Sequence, residues 1–478
     1  MAVSTKDAQP ALIGGEWTPL EQSFEVRSPF SDRLLATVGL AGAAEARRAV
    51  EAAAAAMAEP LQAWRRAELL EAIAAELDRR SDEFARTISD EAGKPIRLAE
   101  MEADRGAGVF RLAAAEARTL AGEVVPTSAT PRSEGHVAWT MRVPIGVVAA
   151  ITPFNFPLNL CAHKLGPALA AGCAVVHKPA EKTPLTALLL AEVYESAGVP
   201  AGWLNLVCGD APAIGEVFAD DDRVRMISFT GSDRVGWALR ERAPRKKVAL
   251  ELGNISPLIV AADANLELAA EKVTAHAFGY AGQTCVSVQR VMVEDSSLEP
   301  FLELLKPRVE ALAVGDPADR ATDVGPMIDS GAHERVKDWI EEALAVGATL
   351  IAGGGDEGGC LRPTVLAGVP AEAQLSTCEA FGPVCAVSAF TDIEEAFAIA
   401  NATEFGLQAA IFTSSIDKAL QAAQRLEFGG VMVNEATEWR ADEIPYGGTK
   451  ASGNTKEGPH AAVREMTEER LVVIGPSG

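Results

Sequence analysis

The sequence predicts an α/β protein with two domains, each built on a parallel sheet. At 478 residues, the chain is longer than the ~250–300 residues that one hydrophobic core usually serves. Between residues 139 and 250, short apolar segments alternate with longer amphipathic ones, a rhythm typical of a doubly wound parallel sheet. A second series with the same alternation follows from residue 251 and indicates a second α/β domain.

The segment before this alternation has a different texture. We expect a small β unit and then four alanine-rich helices, because Leu, Ile and Phe recur there at steps of three and four residues. The predicted strands are Ala11–Trp17, Phe24–Val26 and Leu34–Val38, and the predicted helices are Ala43–Met57, Ala63–Arg80, Asp82–Ala92 and Ile96–Leu120.

The first alternating series contains five predicted strands and four predicted helices. The strands are Val147–Ile151, Ala174–His177, Leu204–Val207, Met226–Phe229 and Val248–Glu251. The helices between them are Leu158–Ala171, Pro184–Ala197, Ala213–Ala219 and Asp233–Arg242. Residues 1–120 and 139–250 are therefore assigned to the first domain.

The second series predicts the domain formed by residues 251–434. Its strands are Leu258–Ala261, Val291–Val293, Thr349–Ile351, Val384–Phe390, Ala409–Thr413 and Val431–Asn434. Its helices are Leu266–Tyr280, Ser297–Leu312, His333–Ala345, Ile393–Asn401 and Ile416–Leu426. A last strand, Leu471–Ile474, has no partner in either series, so we expect it to pair elsewhere, with another subunit among the options.

Composition excludes several kinds of protein. A net charge of −24 argues against a general nucleic-acid binder, which needs a basic face. No apolar run reaches the ~18–20 residues of a membrane span, and Met1–Asp7 lacks a signal-peptide pattern. Seven cysteines without CxxC pairs favour free thiols in a reducing compartment, and six dispersed histidines predict no metal site. We expect a cytoplasmic protein.

Cys285 is the residue that most suggests chemistry. It follows a predicted helix, in the segment Gly282–Arg290, and Glu251 closes a predicted strand. A thiolate can attack a carbonyl carbon while a carboxylate removes a proton or activates water. The alternative for a lone cysteine is a small buried hydrophobe. No His or Lys is adjacent, so helix-end N–H groups or Glu251 would have to activate the thiol.

Two further strand ends offer groups suited to a dinucleotide. Phe229, Gly231, Ser232 and Gly236 span a strand-to-helix turn whose free N–H groups suit a pyrophosphate; the alternative is an ordinary turn capped by Ser232. Lys178 and Glu181 follow another strand and could bind ribose hydroxyls. A carboxylate at position 181 would repel a 2′-phosphate and so favours NAD over NADP. The alternative is a surface ion pair.

Two more segments complete the set. Thr152, Phe154 and Asn155 follow a strand, and the Asn155 amide could donate to an oxyanion or simply cap the next helix. Glu379 and Phe381 precede a strand; they could contact a second ribose and a nicotinamide ring, or only form a turn.

Taken together, these segments resemble the aldehyde dehydrogenase superfamily over nearly the whole chain. The matching motifs, in the family's order, are Pro153-Phe154-Asn155, Lys178-Pro179-Ala180-Glu181, Phe229-Thr230-Gly231-Ser232 with Gly236, Glu251-Leu252-Gly253, Gly282-Gln283-Thr284-Cys285, Glu379–Pro383 and Pro445–Gly453. Phe154 replaces a frequent Trp, Asn254-Ile255 replaces a commoner pair, and Asn454-Thr455-Lys456 replaces a Gly-containing stretch.

The resemblance implies a Rossmann-like NAD-binding domain, a catalytic domain and a mechanism. Cys285 attacks the aldehyde, Asn155 holds the oxyanion, and Glu251 activates the water that hydrolyses a thioester. It also implies cofactor contacts at Thr152, Phe154, Lys178, Glu181, Phe229, Gly231, Ser232, Gly236, Glu379 and Phe381. Segments 121–138 and 435–478 are expected to form a small β bridging element that joins subunits into a homodimer or homotetramer.

The substrate is the least determined expectation. The Glu435–Asp442 stretch resembles the lactaldehyde-like and sulfolactaldehyde- or phosphonoacetaldehyde-type branch of the family. Four arginines, Arg105, Arg111, Arg290 and Arg440, could bind an anionic aldehyde, although each could equally be structural. Two alternatives to a hydrolytic dehydrogenase are an enzyme that passes the acyl group to CoA and a non-catalytic member of the fold.

Overall fold

The computed structural model describes residues 8–476. Residues 1–7, on which the expectation about a signal peptide rests, lie outside the described residues, as do residues 477–478. Within the described part, no helix is both long enough and apolar enough to cross a membrane.

The N-terminal region contains the four predicted helices and four short strands, one strand more than predicted, because a turn at Gly14 and Gly15 divides the predicted strand Ala11–Trp17. The strands are β1 (Ala11–Ile13), β2 (Glu16–Thr18), β3 (Ser23–Arg27) and β4 (Leu34–Gly39), and the helices are α1 (Ala43–Ala56), α2 (Ala63–Arg79), α3 (Ser81–Ala92) and α4 (Ile96–Thr119). The apolar positions that predicted α3, among them Phe84 and Ile88, are fully buried. Gly93 ends this helix in the left-handed conformation, with φ 67°.

Two strands precede the first parallel series, β5 (Val124–Val125) and β6 (Val137–Pro144). The series itself consists of β7 (Val147–Ile151), α5 (Asn159–Ala171), β8 (Val175–Lys178), α6 (Leu185–Ser196), β9 (Leu204–Leu206), α7 (Ala211–Asp220), β10 (Val224–Thr230), α8 (Asp233–Arg242) and β11 (Lys247–Glu251). Every strand and helix predicted between residues 147 and 251 is present.

The first sheet has the order β11-β10-β7-β8-β9-β1-β2. Its first five strands are parallel, and β1 and β2 extend it antiparallel. The chain runs outward from β7 through β8 to β9 and then returns to add β10 and β11 on the other side. The switch point therefore lies between β7 and β10, and ligands of open α/β sheets bind beyond the strand ends at such a point.

The second series follows as β12 (Ser256–Val260), α9 (Leu266–Phe278), β13 (Val288–Glu294), α10 (Leu298–Glu310), α11 (Ser330–Ala345), β14 (Thr349–Ala352), β15 (Asp356–Glu357), β16 (Cys360–Leu361), β17 (Thr364–Ala367), α12 (Gln374–Thr377), β18 (Val384–Phe390), α13 (Ile393–Asn401), β19 (Gln408–Phe412), α14 (Ile416–Arg425) and β20 (Gly430–Val433). Its sheet has the order β14-β17-β18-β13-β12-β19-β20, parallel except for β14. The interior strand β17 was not predicted, because it has only four residues between prolines and a glycine.

The C-terminal segment ends in α15 (Pro459–Glu465) and β21 (Thr467–Ile474). β21 pairs antiparallel with β6 along its whole length, and β5 completes a three-stranded sheet in the order β21-β6-β5. The last strand thus pairs outside both series, with β6 of its own chain, and its other edge has no partner strand among the described residues.

Two expected boundaries are also corrected. Residues 139–144, expected in the first domain, lie in β6 of the small sheet. Of the described residues 435–476, only those of β21 belong to that sheet. Residues 435–466 pack elsewhere: α15 lies against α4 and α5, and several residues before it line the cavity described next.

Candidate active site

A cavity of about 640 Å³ opens where the strand ends of the first sheet face the second domain. Its walls come from α4, from the segments that follow β7, β10 and β11, from the loop after α9, and from residues 438–457. The sequence-predicted residues that line it are Phe154, Asn155, Gly231, Ser232, Glu251, Cys285, Glu379, Phe381, Arg105 and Arg440.

An unusual turn carries Cys285 into this cavity. Helix α9 ends at Phe278, two residues earlier than predicted, and Tyr280 and Ala281 then adopt left-handed conformations with φ 49° and 52°. Such angles are uncommon for residues with a side chain and occur where surrounding packing enforces them. Gly282 continues the turn so close to Gly382 that an added Cβ would lie 2.1 Å from its carbonyl oxygen.

The Cys285 thiol is largely enclosed. Its Sγ lies 3.0 Å from the Tyr446 hydroxyl and packs with Val286, Leu407 and the Tyr446 ring. Burial raises the pKa of the Cys285 thiol to about 12, although the Tyr446 hydrogen bond acts in the opposite direction. The free thiol therefore needs further stabilisation of its anion before it becomes a nucleophile at neutral pH.

Asn155 faces the same loop from the end of β7. It is buried, and its Nδ2 donates to the Gln283 carbonyl oxygen over 2.9 Å. This hydrogen bond ties the Asn155 side-chain amide to the backbone of Gln283, two residues before Cys285. The predicted amide and thiol are thus brought together, although they come from different sheets.

Glu251 is a buried carboxyl whose two oxygens have no hydrogen-bond partner among the described residues. Burial and the charge of Glu457 raise its pKa well above the ordinary range, while Lys164 and Arg440 oppose the shift. The backbone of Gly447 approaches it closely, since an added Cβ there would lie 2.5 Å from Oε1. A carboxyl in such a setting can act as a base near neutral pH.

Glu457, which sequence reasoning missed, lies beside Glu251 and behaves oppositely. Its Oε1 lies 3.3 Å from Lys164 Nζ, and its Oε2 lies 3.2 Å from Arg440 Nη2. Burial raises the pKa of Glu457, but these cations and His163 outweigh burial and bring it to about 2. The only sequence signal was an acidic residue near Arg440, which is too common to single out.

The start of α8 offers a cradle suited to phosphate. Ser232 occupies the N-cap position, but its side chain makes no capping bond, so the first N–H groups of the helix are left for a ligand. An added Cβ on Gly231 would meet the Phe229 ring at 2.7 Å, and one on Gly236 would meet Leu252 at 2.6 Å. Both glycines are therefore required by close packing, and Phe229 is buried beneath them.

Glu379 and Phe381 line the opposite wall of this part of the cavity. Glu379 Oε1 accepts a hydrogen bond from the Asn254 backbone N–H over 2.9 Å, and burial raises the Glu379 pKa to about 7. The ring of Phe381 packs edge to face with Phe154, with centroids 5.8 Å apart. Asn254, one of the departures from the family pattern, therefore fits the turn and anchors Glu379.

The remaining predicted cofactor residues lie beside the cavity and do not line it. Lys178 is buried and its Nζ lies 2.5 Å from the partly exposed Glu181 carboxylate. Thr152 is also buried, and its hydroxyl lies 2.9 Å from His177 Nε2. The strand-end positions of these residues fit a dinucleotide that crosses from β10 to β8.

The four candidate arginines separate into two groups. Arg105 and Arg440 line the cavity, whereas Arg111 and Arg290 do not. Arg111 is half-exposed on α4 and pairs with Asp78. Arg290 lies partly buried in β13 and donates to the carbonyl oxygens of Ile399 and Ala400. Arg111 and Arg290 are therefore not brought together with Arg105 and Arg440 at the cavity.

The fold and this site define an oxidoreductase in which a dinucleotide-binding sheet faces a domain that carries a reactive thiol. The sequence matches the Aldehyde dehydrogenase family over residues 17–472, and the chain belongs to that family. The predicted resemblance is confirmed, and with it an enzyme that oxidises small aldehydes with a nicotinamide cofactor.

Named relatives and solved structures cover nearly the whole chain. The 3-sulfolactaldehyde dehydrogenase of Priestia aryabhattai is 44% identical over 462 residues, 97% of each chain. An NADP-dependent enzyme of Escherichia coli matches with a TM-score of 0.95, 37% identity and 98% of each chain. Aldehyde dehydrogenase 21 of Physcomitrella patens, solved with the reaction product succinate, matches with a TM-score of 0.95, 35% identity and 100% of each chain.

Proposed function

We propose that this enzyme oxidises a small, hydroxylated and anionic aldehyde to its carboxylic acid with NAD, through a thioester on Cys285. The observation that carries this function is the convergence of Cys285, Asn155 and Glu251 on one cavity. The resemblance derived from the sequence names the same three residues.

Each of these residues has a role that its geometry supports. Cys285 adds to the aldehyde carbon, and the Asn155 amide together with the Cys285 backbone N–H holds the oxyanion that forms. The bound nicotinamide supplies the hydride acceptor. Glu251, unpartnered and with a raised pKa, removes a proton from the water that hydrolyses the thioester.

Replacing the nucleophile and the base is expected to give different defects. Cys285→Ala should abolish NADH formation. Glu251→Gln should retain a burst of about one NADH per active site and lower the steady-state rate at least about a hundredfold, because only hydrolysis of the thioester loses its base. Stopped-flow NADH fluorescence measures both phases, and mass spectrometry of the intact protein detects the acyl-enzyme.

Cys378→Ala is the matched control, because Cys378 is the other cysteine that is not fully buried and lies outside the cavity lining. Full activity in Cys285→Ala would contradict the mechanism. Acyl-CoA formation that accelerates turnover on adding CoA would support the acyl-transferring alternative, and cofactor binding without NADH from any aldehyde would support a non-catalytic member.

We propose NAD as the preferred cofactor on the basis of Glu181. Its carboxylate is partly exposed at the end of β8 and paired with Lys178, where it can accept bonds from ribose hydroxyls and repel a 2′-phosphate. The Escherichia coli enzyme is NADP-dependent, so membership of the family does not by itself decide the preference.

Glu181→Gln is expected to lower the ratio of kcat/KM with NAD to kcat/KM with NADP by about tenfold. The substitution removes the negative charge that would repel the 2′-phosphate of NADP, and one such repulsion is worth about a factor of ten. The exposed Glu192 on α6, changed to Gln, is the control and should leave the ratio unchanged. Equal kcat/KM values with NAD and NADP in the unaltered enzyme would refute the preference.

The substrate class is inferred from a cluster around Asp442. The Asp442 carboxylate accepts bonds from Arg105 Nε and Nη2 over 3.1 and 2.7 Å, and Oδ1 also lies 3.0 Å from His163 and 3.5 Å from Asn159 Nδ2. Arg105 therefore keeps Nη1 for another acceptor. Asn159 is buried in the cavity wall, and its Oδ1 has no partner among the described residues.

These two groups complement an aldehyde with a hydroxyl and a terminal anion. Asn159 Oδ1 would accept a hydrogen bond from the substrate hydroxyl. Arg105 would donate a hydrogen bond to the substrate anion, and Asp442 would hold the Arg105 guanidinium in place. A 2-hydroxy aldehyde with a sulfonate has both features, and the Priestia relative is named for such a substrate.

Arg105→Met is expected to lower kcat/KM for 3-sulfolactaldehyde about tenfold or more, with lactaldehyde changed less than about twofold, because only the anion loses its charged donor. Asn159→Ala should lower kcat/KM for both relative to propionaldehyde, which has no hydroxyl. Arg111→Met, on the same helix but away from the cavity, is the control. If the unaltered enzyme does not prefer the sulfonate over lactaldehyde, the proposed class is wrong.

We also propose a homodimer or homotetramer joined through the small sheet. The outer edge of β21 has no partner strand among the described residues, and Leu471, Val473 and Ile474 are more than half exposed. A long apolar edge strand of this kind normally requires a cover.

Leu471→Asp is expected to shift the particle mass toward the monomer in light scattering coupled to gel filtration, because a charge would be buried at the joint. Ile416, 70% exposed at the start of α14, gives the control variant Ile416→Asp, which should leave the mass unchanged. A monomeric unaltered protein would exclude the assembly.

A further inference from the structure

We propose that Tyr446 is a further catalytic residue, whose hydroxyl donates a hydrogen bond to the Cys285 thiolate, and that Arg440 positions its ring. This inference rests on Cys285 being the nucleophile of the proposed function. It identifies the group that stabilises the thiolate, for which the sequence next to Cys285 offers no His or Lys.

The contact itself is specific. Among the described residues, the Tyr446 hydroxyl is the hydrogen-bond partner of Cys285 Sγ, at 3.0 Å. Either atom can donate while the thiol is neutral, but a thiolate has no proton, so Tyr446 must then be the donor. Hydrogen bonds to an ionised acceptor are roughly twice as strong as neutral ones, so this contact favours the thiolate over the thiol.

The cations of the cavity do not substitute for Tyr446. Each is engaged by a carboxylate: Lys94 by Glu102, Arg105 by Asp442, and Arg440 by Glu457. None of these cations forms a hydrogen bond with Sγ. Tyr446 keeps its own proton, because burial and the neighbouring Cys285 raise its phenolic pKa well above the ordinary value.

Tyr446 is held in place on two sides. Its backbone forms a pair of hydrogen bonds with Glu457, N to O over 3.1 Å and O to N over 2.6 Å. The Arg440 guanidinium covers the ring at 4.0 Å from the centroid. A cation over an aromatic face draws electron density from the ring, and for a phenol that makes the hydroxyl a better donor.

Arg440 is itself fixed by the residue that anchors the tyrosine backbone. Its Nη2 lies 3.2 Å from Glu457 Oε2 and 3.1 Å from His163 Nε2. His163 Nε2 also lies 3.0 Å from Asp442 Oδ1, so the ion pair with Glu457 is the contact that fixes the guanidinium. Glu457 therefore locates both the phenol and the guanidinium above it. Arg440 forms no hydrogen bond with Sγ and favours the thiolate through Tyr446 and through its charge.

The test measures the Cys285 thiolate directly and does not depend on turnover. In a Cys378→Ser background, in which the five other remaining cysteines are buried, alkylation by iodoacetamide is followed between pH 5.5 and 10. Tyr446→Phe is expected to slow alkylation of Cys285 about tenfold or more at each pH in this range, which corresponds to a rise of about 1–2 units in its pKa. Introducing Cys285→Ala into the Cys378→Ser background should abolish the labelling, which identifies Cys285 as the labelled site.

Tyr194→Phe is the matched control, because the Tyr194 hydroxyl is buried outside the cavity lining and has no partner among the described residues. It should leave the profile unchanged. Arg440→Gln should raise the Cys285 pKa by a smaller amount than Tyr446→Phe does. Arg440→Lys keeps the positive charge and should raise the pKa less than Arg440→Gln, which would not be expected if Arg440 had only a structural role.

Incorporation of 3-fluorotyrosine at position 446 tests the same idea with the packing preserved. A more acidic phenol is a stronger donor, so the Cys285 pKa should fall and not rise. An unchanged alkylation profile in both Tyr446→Phe and the fluorinated protein overturns the inference. Failure of the proposed function would appear separately, as full dehydrogenase activity in Cys285→Ala.

Discussion

The active site depends on how one buried carboxylate, Glu457, is paired. The carboxyls of Glu251 and Glu457 lie close together and are both buried, so it is costly for both to be ionised at once. Lys164 and Arg440 both bind Glu457, so the charge resides there. Glu251, which has no such partners, is left with a raised pKa and can take up or release a proton.

The same carboxylate links elements that are distant in sequence. Lys164 belongs to α5 of the first domain, whereas Tyr446 and Arg440 belong to the segment between β20 and α15. Since removing one partner of a buried ion pair leaves an unpaired charge, these elements are tied together by an energetic requirement and not by shape alone. The turn that carries Cys285 in turn packs against Tyr446.

The regular elements could be predicted because their signals are local. The helices α1 to α4 and the alternating strands of the first sheet follow from apolar spacing, and their ends agree to within a residue or two. The strand β17 and the helix α15 were missed because elements of four and seven residues carry too little periodicity to be recognised. The partner of β21 was missed because pairing across more than three hundred residues leaves no local signal.

The site was predicted unevenly for a similar reason. Cys285, Glu251 and Asn155 could be named because motifs at strand ends resemble a family, but Tyr446, Glu457 and Asp442 act through contacts that only the fold creates. Arg105 and Arg111 show the limit most clearly. Six residues apart on one helix, they lie about 120° apart around its axis, so one faces the cavity and the other faces Asp78.

Pairing also explains how a site for an anion can exist before the anion arrives. A guanidinium enclosed without a partner would be costly to desolvate, so the empty cavity needs carboxylates beside its arginines. Asp442 meets this need for Arg105 through two of the three guanidinium nitrogens. The third nitrogen can still donate, and because Asp442 already fixes the fork, a substrate anion meets a donor whose orientation is set. Specificity in such a site comes from the direction of the donor and less from net charge, since the charge of Arg105 is already balanced.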